Sequence, residues 1–461
     1  MSTVITPLAA AAAPKFVLTR EVRALAVPAI LHSLLQTMVF VVDRIMLGHH
    51  SSTSLSAMQI AGTLEWSVWS VFAAFEVGTI ARVGFHVGAG DTERSRRAAV
   101  SSLLTAFGMG ALLAVLSPLF LSRLAILAPK SSPEVVLAAR DYLEVAMGAS
   151  PVVFVATAAI AILQAGGDTR TPLAIGIFSN LVHIALNRVL ILGGLGLPAM
   201  GTRGCAISTA LTFGLESVLT IGALLQLRTK RRISLRGPLA RAADYVFEAK
   251  DMAHVAVPSL LERILYQTGF MCFVAITTRL GDPSMAAYQA LMAIESICWL
   301  SADGFGIAAA SLAAQKLGAR RPAEAETSTK IAARDAMLLL STYGAAFALF
   351  RVPILRAFTS DPLVIAIGAG ALPVLALAQP FMACTIVAGQ ALRGAGFTRD
   401  VLFISAFGSL VARLACTWLF AITLDLGMVG VIIGSTSDWL ARSVLLALVG
   451  RKRAKTVLAA V

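Results

Sequence analysis

Apolar runs long enough to cross a lipid bilayer recur about twelve times in this chain, and nothing else constrains its fold as strongly. They lie at approximately 22–48, 56–86, 97–125, 134–164, 171–195, 201–227, 251–281, 284–315, 328–355, 362–392, 400–424 and 427–450. About 20 residues of helix, rising 1.5 Å each, cross a hydrocarbon core about 30 Å thick. That core holds no water to pair with backbone N–H and C=O groups, so a spanning segment satisfies them itself, as a helix does. Only 14% of the residues are charged, against about 25% in a soluble domain. The predicted class is an all-α polytopic membrane protein with 12 transmembrane helices. Several runs exceed 25 residues, which predicts tilt or extension past the membrane.

Lysine and arginine set the orientation. Lys15, Arg20 and Arg23 precede the first run. The even connections carry Arg94, Arg96 and Arg97, then Arg170, then the RTKRRISLRGP stretch, then Lys316, Arg320 and Arg321, then Arg393 and Arg399. Arg451, Lys452, Arg453 and Lys455 follow the last run. The odd connections are poor in both residues. Both termini are therefore predicted cytoplasmic, in a plasma (inner) membrane protein.

The halves repeat. Ala26-Val27-Pro28 recurs as Ala256-Val257-Pro258, Ala57 and Gln59 as Ala287 and Gln289, and Glu65 and Trp69 as Glu295 and Trp299, all at a shift of 230. Leu163, Gly167, Thr169 and Arg170 match Leu392, Gly396, Thr398 and Arg399 at 229. Six helices per copy start both copies on the same side, so the repeat is parallel about the membrane normal. The predicted organisation is an N-terminal tail over 1–21, an N-lobe over 22–227, a cytoplasmic linker over 228–250, a C-lobe over 251–450 and a C-terminal tail over 451–461. Two such bundles leave a cavity between them and suit alternating access.

Several function classes are excluded. The formal net charge of +13 is spread over short loop clusters rather than one face, as for contact with anionic lipid and not nucleic acid. The five cysteines lie singly in apolar stretches, with no CxxC, so neither a disulfide framework nor a zinc site is expected. No GxxxxGK[ST] or HExxH motif and no Ser/His/Asp arrangement stands out. An enzyme or ATP-driven pump is thus unsupported, no cofactor is expected, and a secondary transporter is the natural class. A receptor or intramembrane enzyme would need a sensor domain or catalytic constellation, and neither is visible.

QTMVFVVDRIMLG followed by LSAMQIA in the first two segments resembles the multidrug and toxic compound extrusion (MATE) family. So do PSLLERILYQTGFMCFVAITTRLGDPSMAAYQA and GFGIAAASLAAQKLGA in segments 7 and 8, LQAGGDTRTP and LRGAGFTR after segments 4 and 10, and LNRVLILGGLGLPAMGTRGCAISTA across segments 5 and 6. The resemblance runs from about Glu21 to Arg453. It implies two pseudo-symmetric six-helix lobes enclosing a V-shaped cavity. It also implies export of small organic, often cationic and amphipathic, compounds by antiport with H+ or Na+. A monomer is the default. The alternative is a lipid-linked precursor flippase of the same superfamily, which would need a strongly basic cavity.

Asp43 is the acid of the first segment. An acid inside a spanning helix is costly and is a functional suspect by default; beside Arg44 it reads equally as a membrane-surface residue. By resemblance it is a cation-coupling carboxylate. Asn180, His183 and Asn187 share one face at i, i+3 and i+7, which reads as substrate contact, cation site or interhelical hydrogen bonding. The resemblance assigns Asn187 and Thr209 to an N-lobe cation site that holds H+ or, with Asp43, Na+. Ile191 stands where some members have an aspartate. Glu262 and Asp303 are C-lobe coupling candidates, and Met382 occupies the place of a segment 10 aspartate in some members. Glu65 with Trp69 and Glu295 with Trp299 pair an acid and an aromatic ring on one helix face. That pairing suits an organic cation, or equally an interfacial anchor.

Overall fold

A computed structural model describes residues 13–124, 131–226, 233–238 and 240–459. The sequence readings for residues 1–12, for Lys130, and for 227–232 with their arginines fall outside them. Among the described residues the protein is all-α, with only an isolated two-residue bridge, Gly194 to Leu197, of β character. The rods are α1 (Lys15–His50), α2 (Ser52–Gly88), α3 (Thr92–Leu121), α4 (Pro133–Gly148 with Ser150–Ala165), α5 (Arg170–Leu190), α6 (Gly201–Leu225), α7 (Ala242–Thr277), α8 (Asp282–Gly318), α9 (Pro322–Leu349), α10 (Pro362–Gly394), α11 (Thr398–Thr423) and α12 (Gly427–Ala459).

Three departures from the sequence reading have physical causes. The fourth segment is bent by 56° at Ala149, because Ser150-Pro151 opens a new helix. Proline fits the first turn of a helix but not its interior. Second, α7 begins at Ala242, inside the stretch read as linker. Third, among the described residues ten rods are apolar and long enough to span by composition, or eleven counting bent α4; α9 is not one of them. Its first half carries Glu324, Glu326, Lys330, Arg334 and Asp335.

α1 and α7 do not stay within their own halves. The first turns of α1 place Leu18, Val22, Leu25 and Ala26 in a core with α8, α9, α10 and Trp439 of α12. Its far end places Leu47 in a core with α2, α4 and α6. α7 mirrors this: Met252 packs with Phe72 and Phe75 of α2, and Phe273 with Tyr288 and Leu291 of α8. Each crossing helix carries an interior proline, Pro28 or Pro258. A proline there removes one backbone hydrogen bond and loosens the helix.

Ion pairs join α1 and α7 to their neighbours at the end that bears both termini. Arg82 meets Asp251 at 2.6 Å, Arg97 meets Asp244 at 3.5 Å, Lys316 meets Glu21 at 3.0 Å and Arg23 meets Asp335 at 2.7 Å. At the same end α2 and α8 touch backbone to backbone. A Cβ built on Gly88 would collide with the Gln315 carbonyl, and one on Gly318 with the Phe85 carbonyl. Gln315 also donates to the Ala165 carbonyl at 2.6 Å.

Candidate functional site

A buried polar group of the α1–α6 half forms around Asp43. Asp43 sits near the far end of α1, only 4% exposed. Its Oδ1 receives the Asn187 amide at 2.6 Å and lies 2.7 Å from His183 Nε2. One turn of α5 separates His183 from Asn187, so both reach the same oxygen. Ser208 and Thr212, a turn apart on α6, lie 3.3 Å and 3.1 Å from His183 Nδ1. Three helices thus converge on one carboxylate. Asn187 Oδ1 is buried with no hydrogen-bond partner. Asp43 is therefore buried within the helix bundle.

Other members of the predicted set separate. Thr209 donates to Cys205 O at 3.0 Å on its own helix. The threonine that reaches the Asp43 network is Thr212, three residues on. We expect Thr209→Val to leave transport unchanged and Thr212→Val to lower it, read as ethidium efflux rate at matched protein level. Asn180 is buried on the same face as His183 but is not bonded to Asp43. Glu65 accepts from Tyr142 of α4 at 2.9 Å. Trp69 stacks on Trp66 with ring centroids 5.2 Å apart. In the other copy Glu295 is buried while Trp299 is 39% exposed, so that acid and ring do not share one environment.

Glu262 and Asp303 find their hydrogen-bond partners within the α7–α12 half. Glu262 is held by Arg393 of α10, Oε1 to Nη2 at 2.5 Å and Oε2 to Nε at 3.1 Å, and by Ser405 of α11 at 2.7 Å. Arg393 thus engages both of its oxygens. Its partner is not the adjacent Arg263. Leaving one member of a buried ion pair alone costs about 3–5 kcal/mol, whereas replacing both with apolar groups costs far less. We therefore expect Glu262→Gln to lower the thermal midpoint in detergent markedly, and the double variant Glu262→Met with Arg393→Met to recover most of it. Asp303 accepts from Gln390 at 3.2 Å. Glu76 of α2 and Arg263 of α7 share its electrostatic surroundings, and Arg263 reaches Ser70 at 3.5 Å. Arg263 of α7 thus contacts α2 and shares its electrostatic surroundings with one acid from α2 and one from α8.

Two clusters escaped the sequence reading. One is the ion-paired end described above. The other is Arg413, Asp438 and Arg442, buried in the α7–α12 half. Its signal was present in the sequence: Asp438 and Arg442 stand at i, i+4 in an otherwise apolar run.

Comparison with known proteins fits this arrangement. The MatE family model matches residues 28–189 and again 258–419. The chain belongs to the MatE family. The two matched stretches start 230 residues apart (258 minus 28), the shift of the internal repeat. The Probable multidrug resistance protein NorM of Thermotoga maritima is 28% identical over 427 residues, covering 92% of this chain and 90% of that protein. The multidrug resistance protein MdtK of Pectobacterium atrosepticum is 25% identical, covering 88% of each. Among solved structures, an outward-facing multidrug resistance MATE family transporter matches with TM-score 0.86 at 20% identity, covering 96% of this chain and 97% of that one. A MOP superfamily transporter from Pyrococcus furiosus, described for the reverse polarity of its binding pocket, matches at TM-score 0.85 and 20% identity, covering 95% and 96%. This MatE protein is thus a multi-pass membrane protein of a transporter family.

Proposed function

We propose that this MatE protein is a secondary active exporter of small, amphipathic organic cations, driven by inward proton flow through alternating access. The observation that carries the reading is the buried contact of Asp43 with His183 and Asn187. Carboxylate and imidazole are both proton carriers, and two nitrogen groups already crowd Asp43 Oδ1. Among the described residues no cluster of three His, Cys, Asp or Glu side chains suits a metal. Sodium at Asp43 and Asn187 is the competing assignment, resting on the unpartnered Asn187 Oδ1.

In this reading the two halves are an N-lobe over 22–227 and a C-lobe over 251–450, with both termini in the cytoplasm of a cell whose inner membrane holds the monomer. Substrate enters between the lobes, where Glu76 and Asp303 attract its charge and the Trp66–Trp69 stack offers aromatic surface. A proton arriving at Asp43 neutralises the acid and weakens its hold on α5. α1 then shifts about Pro28, and the cleft releases its cargo. The acids between the lobes also weigh against a flippase for phosphate-bearing lipids, because Arg393 is engaged by Glu262 and Arg263 sits among carboxylates. Cells that lack their own exporters and carry this protein should expel ethidium. A protonophore at constant sodium should stop the flow. Efflux that persists under the protonophore and follows sodium would replace the proton with sodium.

A further inference from the structure

The α7–α12 half holds a second buried polar group that the Asp43 account does not use. Asp438 of α12 is 0% exposed. It accepts from Arg413 of α11 at 2.5 Å and from Arg442, one turn on in α12, at 2.6 Å. Both guanidinium groups are buried and lie over aromatic rings. Arg413 is 5.2 Å from the Tyr266 ring centroid, and Arg442 is 4.3 Å from that of Trp439.

Arginine does not lose its proton in proteins. Two permanent cations therefore face one carboxylate, and the excess positive charge needs a partner in a poorly screening interior. The nearby acid is Glu295 of α8, 8% exposed and within electrostatic reach of Arg413 and Asp438. The remaining titratable neighbours are Tyr266 of α7 and Tyr288 and Cys298 of α8 itself. Glu295 interacts with the Trp439 side chain, whose ring lies 6.0 Å from Arg413 and 4.3 Å from Arg442, and Arg413 Nε is buried without a hydrogen-bond partner. A native interior seldom leaves a buried guanidinium nitrogen unpaired. That free nitrogen fits a guanidinium with two arrangements, Arg413 wholly with Asp438 or Arg413 shared with Glu295.

The backbone is built to allow that change. α11 is wound as π-helix over Phe407–Ala412 and again over Trp418–Thr423, with Arg413 beginning the short α-helical turn between them. π-turns are rare and recur at functional sites. Gly408 and Gly434 bring α11 and α12 so close that a Cβ on either would collide with Asp438 or Thr417.

We propose that Glu295, Arg413, Asp438 and Arg442 form a second proton-binding site, in which Glu295 takes and releases the proton and Arg413 is its alternating partner. When Glu295 loses its proton to solvent, two cations balance two carboxylates and Arg413 is drawn toward α8. When Glu295 is neutral, Arg413 and Arg442 both turn to Asp438. The two guanidinium groups repel a metal cation, so the ligand is a proton rather than sodium. The inference rests on the proton-antiport reading above and deepens it.

The test counts protons released when ethidium binds the purified full-length protein in weakly buffered detergent. If each lobe loads a proton, Asp43→Asn and Glu295→Gln each reduce release about two-fold and the double variant abolishes it. Equal release from Glu295→Gln and wild type overturns the second site while leaving the antiport reading intact. No release from wild type sinks both. Should Glu295→Gln fail to fold, Glu295→Asp serves instead. It keeps the carboxylate but shortens its reach to Arg413, so the pH profile of release should shift; an unmoved profile overturns the proposal.

Discussion

Asp43→Asn is expected to reduce ethidium efflux to the level of cells without the protein, while the purified variant keeps a thermal midpoint at or above that of wild type. The two halves of that expectation have different origins. Asparagine has nearly the shape of aspartate, and its oxygen can still accept from the Asn187 amide that Asp43 Oδ1 receives at 2.6 Å. The variant also removes a charge that is costly to hold in a membrane interior, so the fold loses little. What it cannot do is bind and release a proton. His183→Ala separates the carboxylate from its imidazole neighbour, 2.7 Å away. It should lower efflux while leaving Asp43 as the titrating group, so some proton-driven transport remains. An Asp43→Asn variant that exports at the wild-type rate would remove Asp43 from the coupling step.

The second large effect concerns the closed end. Gly88 and Gly318 sit where α2 and α8 cross with no room for a methyl group, since a Cβ on either meets a carbonyl of the other helix. Backbone cannot step aside as a flexible side chain can, and overpacking such a contact costs about 1–3 kcal/mol. Each pair of close contacts exists only while that end is shut. A substitution there raises the energy of one conformation and not of the other, which shifts the population. Gly318→Val is therefore expected to abolish transport and hold the terminus-bearing end apart. The check is a cysteine placed at Ala314, a buried residue of α8 that touches Gly84 of α2. In an otherwise wild-type background it should react slowly with a membrane-impermeant maleimide. In the Gly318→Val background it should react fast. Slow labelling in both would mean that the crossing does not set the state of that end.

Much of this architecture is written in the sequence because a bilayer leaves few options. The apolar runs follow from the need to satisfy every backbone polar group, and the repeated Ala-Val-Pro at 26–28 and 256–258 marks the interior proline of each crossing helix. The polar face of Asn180, His183 and Asn187 is legible by spacing alone, though only tertiary packing reveals that His183 and Asn187 reach Asp43 and Asn180 does not. Thr209 and Thr212 differ by less than one helical turn, and spacing cannot tell which faces α5. Glu262 and Arg393 are 131 residues apart in sequence, so their pairing is a product of the fold. Arg413 and Arg442 carry charges as costly in a membrane as any carboxylate, yet no spacing in the sequence pairs Arg413 with Asp438. The π-turns around Arg413 left no mark in an apolar stretch that any helix could form.

The central claim is that proton flow through Asp43 drives export. Its most direct measure is ethidium transport in proteoliposomes with pH and sodium gradients imposed separately. A pH gradient at equal sodium should drive uphill ethidium movement in wild type and none in Asp43→Asn, and a sodium gradient at equal pH should drive none in either. Transport driven by sodium alone, or by pH in the Asp43→Asn protein, would contradict it.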